Sequence, residues 1–161
     1  METDDDDAPD GLAQLREWLA NGFQPPMGNT LGFALVEVER GKAVFEARPD
    51  RSVYNPLGAV HGGYAATLLD SACGVAIASM LGPNRGHTTL ELKISYLRAL
   101  TEASGMVRAT GRVISLGSRV GFSEATLHDG DGRLCATATS TLLVFDARPD
   151  VPGQGMIARG E

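Results

Sequence analysis

Between Gly63 and Leu81 the chain carries Ala65, Ala66, Leu68, Leu69, Ala72, Cys73, Val75, Ala76, Ile77, Ala78 and Met80, apolar residues that would surround nearly the whole circumference of a helix. A helix with no polar side has no natural solvent face, so the remainder of the chain is expected to cover it. One stripe differs. Gly63, Thr67, Asp70, Ser71 and Gly74 recur at three- and four-residue steps and therefore share a face of small and polar groups. Asp70 is the single charge of the segment, and a carboxylate inside a buried helix costs several kcal/mol unless it is paired or serves a site. Two readings of Asp70 follow: a functional carboxylate, or a structural one bonded to a neighbouring loop.

The segment is entered from Asn55-Pro56-Leu57-Gly58-Ala59-Val60-His61-Gly62-Gly63. Gly62 and Gly63 fall where the first helical turn forms, so their N–H groups lack intrahelical partners and sit at the positive end of the helix dipole. Without a Cβ in the way, a carbonyl oxygen or oxyanion can approach them. The same glycines would also serve simply to let the chain turn tightly into the helix. Eight residues on a helix span roughly 12 Å, too far for Gly62 and Asp70 of one chain to serve a single carbonyl. A two-fold dimer with antiparallel helices removes the difficulty by bringing each helix N-terminus to the partner's aspartate, with the small-residue stripe as the seam.

The remaining pattern is mostly that of strands. Leu12, Leu15, Trp18 and Leu19 lie at helical spacing within Gly11 to Asn21, predicting a short N-terminal helix that packs Trp18 on the domain and ends before Gln24-Pro25-Pro26. Leu31 to Glu39 and Lys42 to Arg48 flank Arg40-Gly41 as a hairpin. After the helix come extended runs over His87 to Leu97, Ala103 to Ser115, Arg119 to His128 and Leu134 to Phe145, with Asp129-Gly130-Asp131-Gly132 as a turn between the last two. Residues 1–10, with Asp4 to Asp7 in a row, read as a disordered acidic tail, residues 11–147 as one domain, and residues 148–161, rich in Pro and Gly, as a flexible tail. A chain of 161 residues with 43% hydrophobic composition suits one core. The net charge of −6 argues against nucleic acid as a partner. No membrane span or secretory leader is evident, so a cytoplasmic location is expected. Cys73 and Cys135 suggest two buried free thiols, neither a disulfide framework nor a metal site.

One apolar helix among about six antiparallel strands is buried only if the sheet curls around it, an α+β architecture. That layout, together with Asn55, His61-Gly62-Gly63, Asp70 and the run Thr88-Thr89-Leu90-Glu91-Leu92-Lys93-Ile94-Ser95-Tyr96, resembles the hotdog-fold acyl-CoA thioesterases of the PaaI-like, phenylacetate-pathway group, over roughly residues 31–144. The resemblance implies an antiparallel sheet wrapped around one central helix. It also implies hydrolysis of acyl-CoA or aryl-acyl-CoA without cofactor or metal, and a homodimer that is obligatory for the site, assembled further into a tetramer. By the same resemblance Gly62 supplies the oxyanion N–H and Asn55 places the thioester or water. Asp70 of the opposite subunit is general base or nucleophile, and Thr89, with Thr88 as its alternate by a one-residue slip, assists the water. His61 is either catalytic or an orienting residue of the loop. Coenzyme A phosphates need cations, for which Arg85, Arg98, Arg112 and Arg119 are candidates and Arg119, beside the Leu116-Gly117-Ser118 turn, is favoured. The competing functions are a non-catalytic acyl-CoA-binding regulator and a hotdog enoyl-CoA hydratase or dehydratase using His61 and Asp70.

Overall fold

Asp10 opens the first helix: its carboxylate accepts the Ala13 N–H at 2.8 Å, satisfying one of the orphan donors of a helix start. Helix α1 (Gly11–Asn21) ends at Gly22, whose φ of 66° lets the chain leave in the left-handed region. The computed structural model describes residues 8–148, so residues 1–7 of the acidic tail and residues 149–161 of the C-terminal tail lie outside the described residues. Trp18 is half-buried against the core and meets the Phe23 ring at a centroid separation of 4.9 Å.

The Pro25-Pro26 pair does more than stop α1. Pro26 starts a second helix, α2 (Pro26–Leu31), because proline at a first helical position gives up only an N–H that has no partner there. Gly32, with φ at 69°, ends α2, and the first strand therefore starts at Phe33 instead of Leu31. Six strands follow the order read from the sequence: β1 (Phe33–Glu39), β2 (Lys42–Ala47), then helix α3 (Gly62–Ala78), then β3 (Arg85–Tyr96), β4 (Val107–Leu116), β5 (Val120–His128) and β6 (Leu134–Asp146). Strand β4 begins later than expected because Thr101 caps a short turn of helix at Glu102–Ser104.

The strands form one sheet in the order β1-β2-β4-β5-β6-β3, every pairing antiparallel. Helix α3 packs against it, with Leu68, Leu69, Ala72, Cys73, Ala76 and Ile77 all 0% exposed. Ser79 terminates α3 at Ala78, short of the Leu81 expected: its hydroxyl donates to the Ala76 carbonyl at 2.7 Å and accepts the Gly41 N–H at 2.8 Å, tying the helix end to the β1–β2 turn. The burial is incomplete where the small-residue stripe runs. Gly63 is exposed and Ala66, Thr67, Asp70 and Ser71 are half-exposed, so the helix that the sequence reads as covered on every side keeps one open face in a single chain. The sheet covers the other sides, and among the described residues only part of this one is covered, where β3 meets it.

Helix and sheet touch backbone to backbone at Gly111 of β4. A Cβ there would lie 2.1 Å from the Ala72 carbonyl oxygen, a contact that only displacement of α3 relieves. Gly111→Ala is expected to destabilise the fold by about 3 kcal/mol, the upper end of the usual cost of overpacking. Urea denaturation checks this, and a midpoint unchanged from wild type would show that α3 has room to move.

Candidate active site

His61 stands just before α3 with φ −60° and ψ 135°, and its side chain is the cap: Nδ1 accepts the Gly63 N–H at 2.8 Å. This consumes one of the two glycine donors that the sequence offered for an oxyanion, leaving the Gly62 N–H, first in the helix, without an intrahelical partner. An accepting Nδ1 carries no hydrogen, which places the ring N–H on Nε2. The loop before it is anchored on both sides, by the His61 N–H to the Val53 carbonyl at 2.8 Å and the Val60 N–H to the Leu100 carbonyl at 2.8 Å. From the end of β3, the Tyr96 hydroxyl donates to the Gly62 carbonyl at 2.7 Å. Beside Gly62 opens a cavity of about 290 Å³ lined mainly by small and apolar residues, among them Val60, Ala65, Leu97, Leu100 and Ala136.

Asn55 holds its own loop. Its side-chain oxygen accepts the Leu57 N–H at 2.9 Å and the Ala59 N–H at 3.2 Å, which leaves the carboxamide NH2 as the group free to donate elsewhere.

Asp70 lies further along α3, half-buried, and does not line the cavity at Gly62. Its Oδ1 accepts the Thr89 hydroxyl of β3 at 2.9 Å. The alternation of a strand decides between the two threonines: Thr89 faces the helix while Thr88 is exposed. Among the described residues this is the carboxylate's single hydrogen bond, and no lysine or arginine pairs with it, so Oδ2 is left for solvent or a ligand. Its partner belongs to a strand, not to the loop that the structural reading of Asp70 would have used.

Two residues before Thr89 on the same side of β3 is His87, which the sequence reading placed only as the start of a strand. Its Nε2 lies 3.0 Å from where a Cβ of Gly74 would sit, one helical turn beyond Asp70. Burial pushes the His87 imidazole below the ordinary histidine range, with the negative charge of Asp70 opposing that shift. The signal was available as a two-residue step from Thr89 and a glycine on the helix stripe.

Of the four candidate arginines, Arg85 is engaged: it donates to the Ser118 carbonyl at 2.5 Å and pairs with Asp146 at 3.1 Å. Arg98, Arg112 and Arg119 are exposed. Arg119 leads into β5, whose Gly121 abuts Ile77 near the C-terminal end of α3. Among the described residues no group of three or more His, Cys, Asp or Glu side chains is placed to hold a metal, and no helix is long and apolar enough to cross a membrane.

An antiparallel sheet packed on one long helix, with a half-buried aspartate in mid-helix and a His-Gly-Gly helix start, is the hotdog architecture of thioester hydrolases. The chain belongs to the thioesterase superfamily, whose sequence profile matches residues 57–136, and is a hotdog-fold thioesterase of the PaaI type. It is 32% identical to a conserved protein of Pseudomonas aeruginosa of known structure, with a TM-score of 0.71, covering 81% of this chain and 98% of that one. A 1,4-dihydroxy-2-naphthoyl-CoA hydrolase of Listeria monocytogenes is 29% identical over 119 residues, 74% of this chain and 95% of the relative. The PaaI protein of the Escherichia coli phenylacetic acid degradation operon shares the fold, with a TM-score of 0.72 at 19% identity over 83% of this chain and 96% of its own.

Proposed function

We propose that the protein hydrolyses acyl-CoA or aryl-acyl-CoA thioesters at a site shared between two copies of the chain. The observation that carries this reading is the state of Asp70, a mid-helix carboxylate held at 2.9 Å by a neutral hydroxyl and by no cation, on the open face of α3. Such a group is placed to take a proton from water as a general base, or to attack a carbonyl as a nucleophile. The Gly62 N–H, aided by the helix dipole, holds the oxygen on which charge develops as the carbonyl becomes tetrahedral. His61 acts as the orienting residue that aims this N–H, the Asn55 NH2 places the thioester or water, and Thr89 fixes the carboxylate. Thiolate is a sufficient leaving group, so these parts complete the reaction.

Gly62 and Asp70 stand roughly 12 Å apart along one helix, so the partner subunit supplies the aspartate. The half-exposed stripe offers the seam between helices. Strand β3, at the end of the sheet and exposing Leu90 and Tyr96, offers an unpaired edge for a second copy. The working unit is thus a homodimer, with a tetramer as the further assembly, and Arg119 is the cation proposed for the coenzyme A phosphates.

Complementation tests the shared site. In a mixed dimer of Gly62→Pro and Asp70→Asn chains, one site collects both lesions and the other has every group intact. Random reassortment makes half the dimers mixed, so about a quarter of wild-type activity is expected on co-refolding equal amounts of two inactive variants. No recovery despite demonstrated subunit exchange would remove the shared site. A panel of acyl-CoA substrates, followed by thiol release and compared with hydration of crotonyl-CoA, separates a hydrolase from a hydratase and from a binding protein without turnover. The protein's own thiols do not obscure that assay: Cys73 and Cys135 are buried, and burial pushes the Cys73 thiol up to about 11.

A further inference from the structure

We propose that His87 is a positioning residue that acts through Asp70, taking up the proton that the carboxylate withdraws from water. The inference rests on the reading of Asp70 as a general base. Four groups form a two-rung ladder between α3 and β3. Asp70 and Gly74 lie one turn apart on the helix, Thr89 and His87 two residues apart on one face of the strand, and each helical position meets one strand position. The first rung is the 2.9 Å hydrogen bond from Thr89 to Asp70. The second is the close approach of His87 Nε2 to Gly74, 3.0 Å from the position a Cβ would take, so that the missing side chain is what admits the imidazole.

The His87 side chain makes no hydrogen bond to any described residue, although its ring is largely withdrawn from solvent. A ring nitrogen left without a protein partner, one helical turn along the α3–β3 groove from a carboxylate oxygen left without one, is an arrangement suited to proton exchange through water. Asp70 is the charged group that faces it from α3; β6 opposes it with Val144, and Arg85, two residues back on β3, is already paired with Asp146 at 3.1 Å. Burial favours the neutral imidazole, the form that accepts a proton, while the Asp70 charge favours the protonated form once the proton has arrived.

Water gives one proton to Asp70 Oδ2 as its oxygen bonds to the thioester carbon, and the C–S bond breaks with the electron pair leaving on sulfur. The proton on Oδ2 passes to His87 Nε2, and from there to the departing thiolate or to solvent. Carboxylate and neutral imidazole are both restored for the next turnover. Without this acceptor the proton must leave Asp70 unaided, and turnover slows while substrate binding is untouched.

His87→Ala, His87→Gln and Gly74→Ala test this, each checked for a native circular dichroism spectrum and dimer elution. The expected result is a fall in kcat of about 10- to 100-fold for His87→Ala, the lower part of the range for assisted proton transfer, with KM within threefold. Added imidazole should restore at least a third of wild-type kcat to His87→Ala and nothing to Asp70→Asn. Gly74→Ala, which forces the ring away while keeping the histidine, should lower kcat in the same direction. Wild-type kcat in His87→Ala, or full activity in His87→Gln, would overturn the proposal, the latter by showing that the position only needs filling. If Asp70→Asn is inactive while His87→Ala is normal, this inference alone fails; if Asp70→Asn is active, the general-base reading fails first.

Discussion

Asp70→Asn is expected to fold as the wild type does and to lose thioester hydrolysis by about 10²- to 10⁴-fold, the contribution of a positioned general base. Asparagine has the same shape, and its side-chain oxygen can still accept the Thr89 hydroxyl that now lies 2.9 Å from Oδ1. What disappears is the negative charge, together with the ability to take a proton from water. The charge has no cationic partner among the described residues, so its removal does not strand a buried positive group, and the thermal midpoint should stay level or rise slightly. Thiol release gives the activity and a thermal melt gives the stability. Near-wild-type turnover would take Asp70 out of the mechanism, and a large drop in melting temperature with retained activity would make it a structural residue.

Gly62→Pro should lower kcat by about 10²- to 10³-fold, the usual cost of deleting one oxyanion donor. The local backbone accepts the substitution. Gly62 is the first residue of α3, where proline is favoured, and the preceding His61 has ψ 135°, the extended conformation that a residue before proline prefers. A Cβ at this position lies 3.2 Å from the Tyr96 ring, which is 56% exposed and can yield. Gly62→Ala isolates the cause, because it adds the same Cβ but keeps the N–H and should retain most of the activity. Equal losses in the two variants would show that crowding against Tyr96, and not the missing donor, is responsible.

Much of the frame was legible in the chain itself. The apolar run after His61 predicted α3, the alternating segments predicted six strands in their observed chain order, and Asp70 stood out as the lone charge of its helix. These features depend on residues within a few positions of one another, where the 3.6- and two-residue periods write burial directly into the sequence. Helix α2 was missed because Pro25-Pro26 signals the end of one helix and the start of another with the same residues. The incomplete cover of α3 was missed because an apolar composition says how much of a helix wants burial, not whether one copy of the chain can provide it.

The site divides along the same line. That a His-Gly-Gly helix start would present N–H groups to a ligand follows from helix geometry, and so does the separation of Gly62 from Asp70. Which of those N–H groups remains free was decided by His61, whose ring turned inward to cap Gly63 at 2.8 Å, a choice between rotamers that the residue order leaves open. That Thr89 rather than Thr88 meets Asp70, and that His87 comes with it, depends on the register of β3 against β6 and of both against α3. A slip of one residue would turn every side chain of β3 to the other face. Register is set by pairing between residues 40 to 61 positions apart, Tyr96 with Ala136 and Arg85 with Asp146, and is therefore a property of the assembled sheet. The sequence alone determined the helix, the strands and the chemical groups available; the tertiary structure decided which of those groups face one another, because only packing at long range selects among the faces that local periodicity allows.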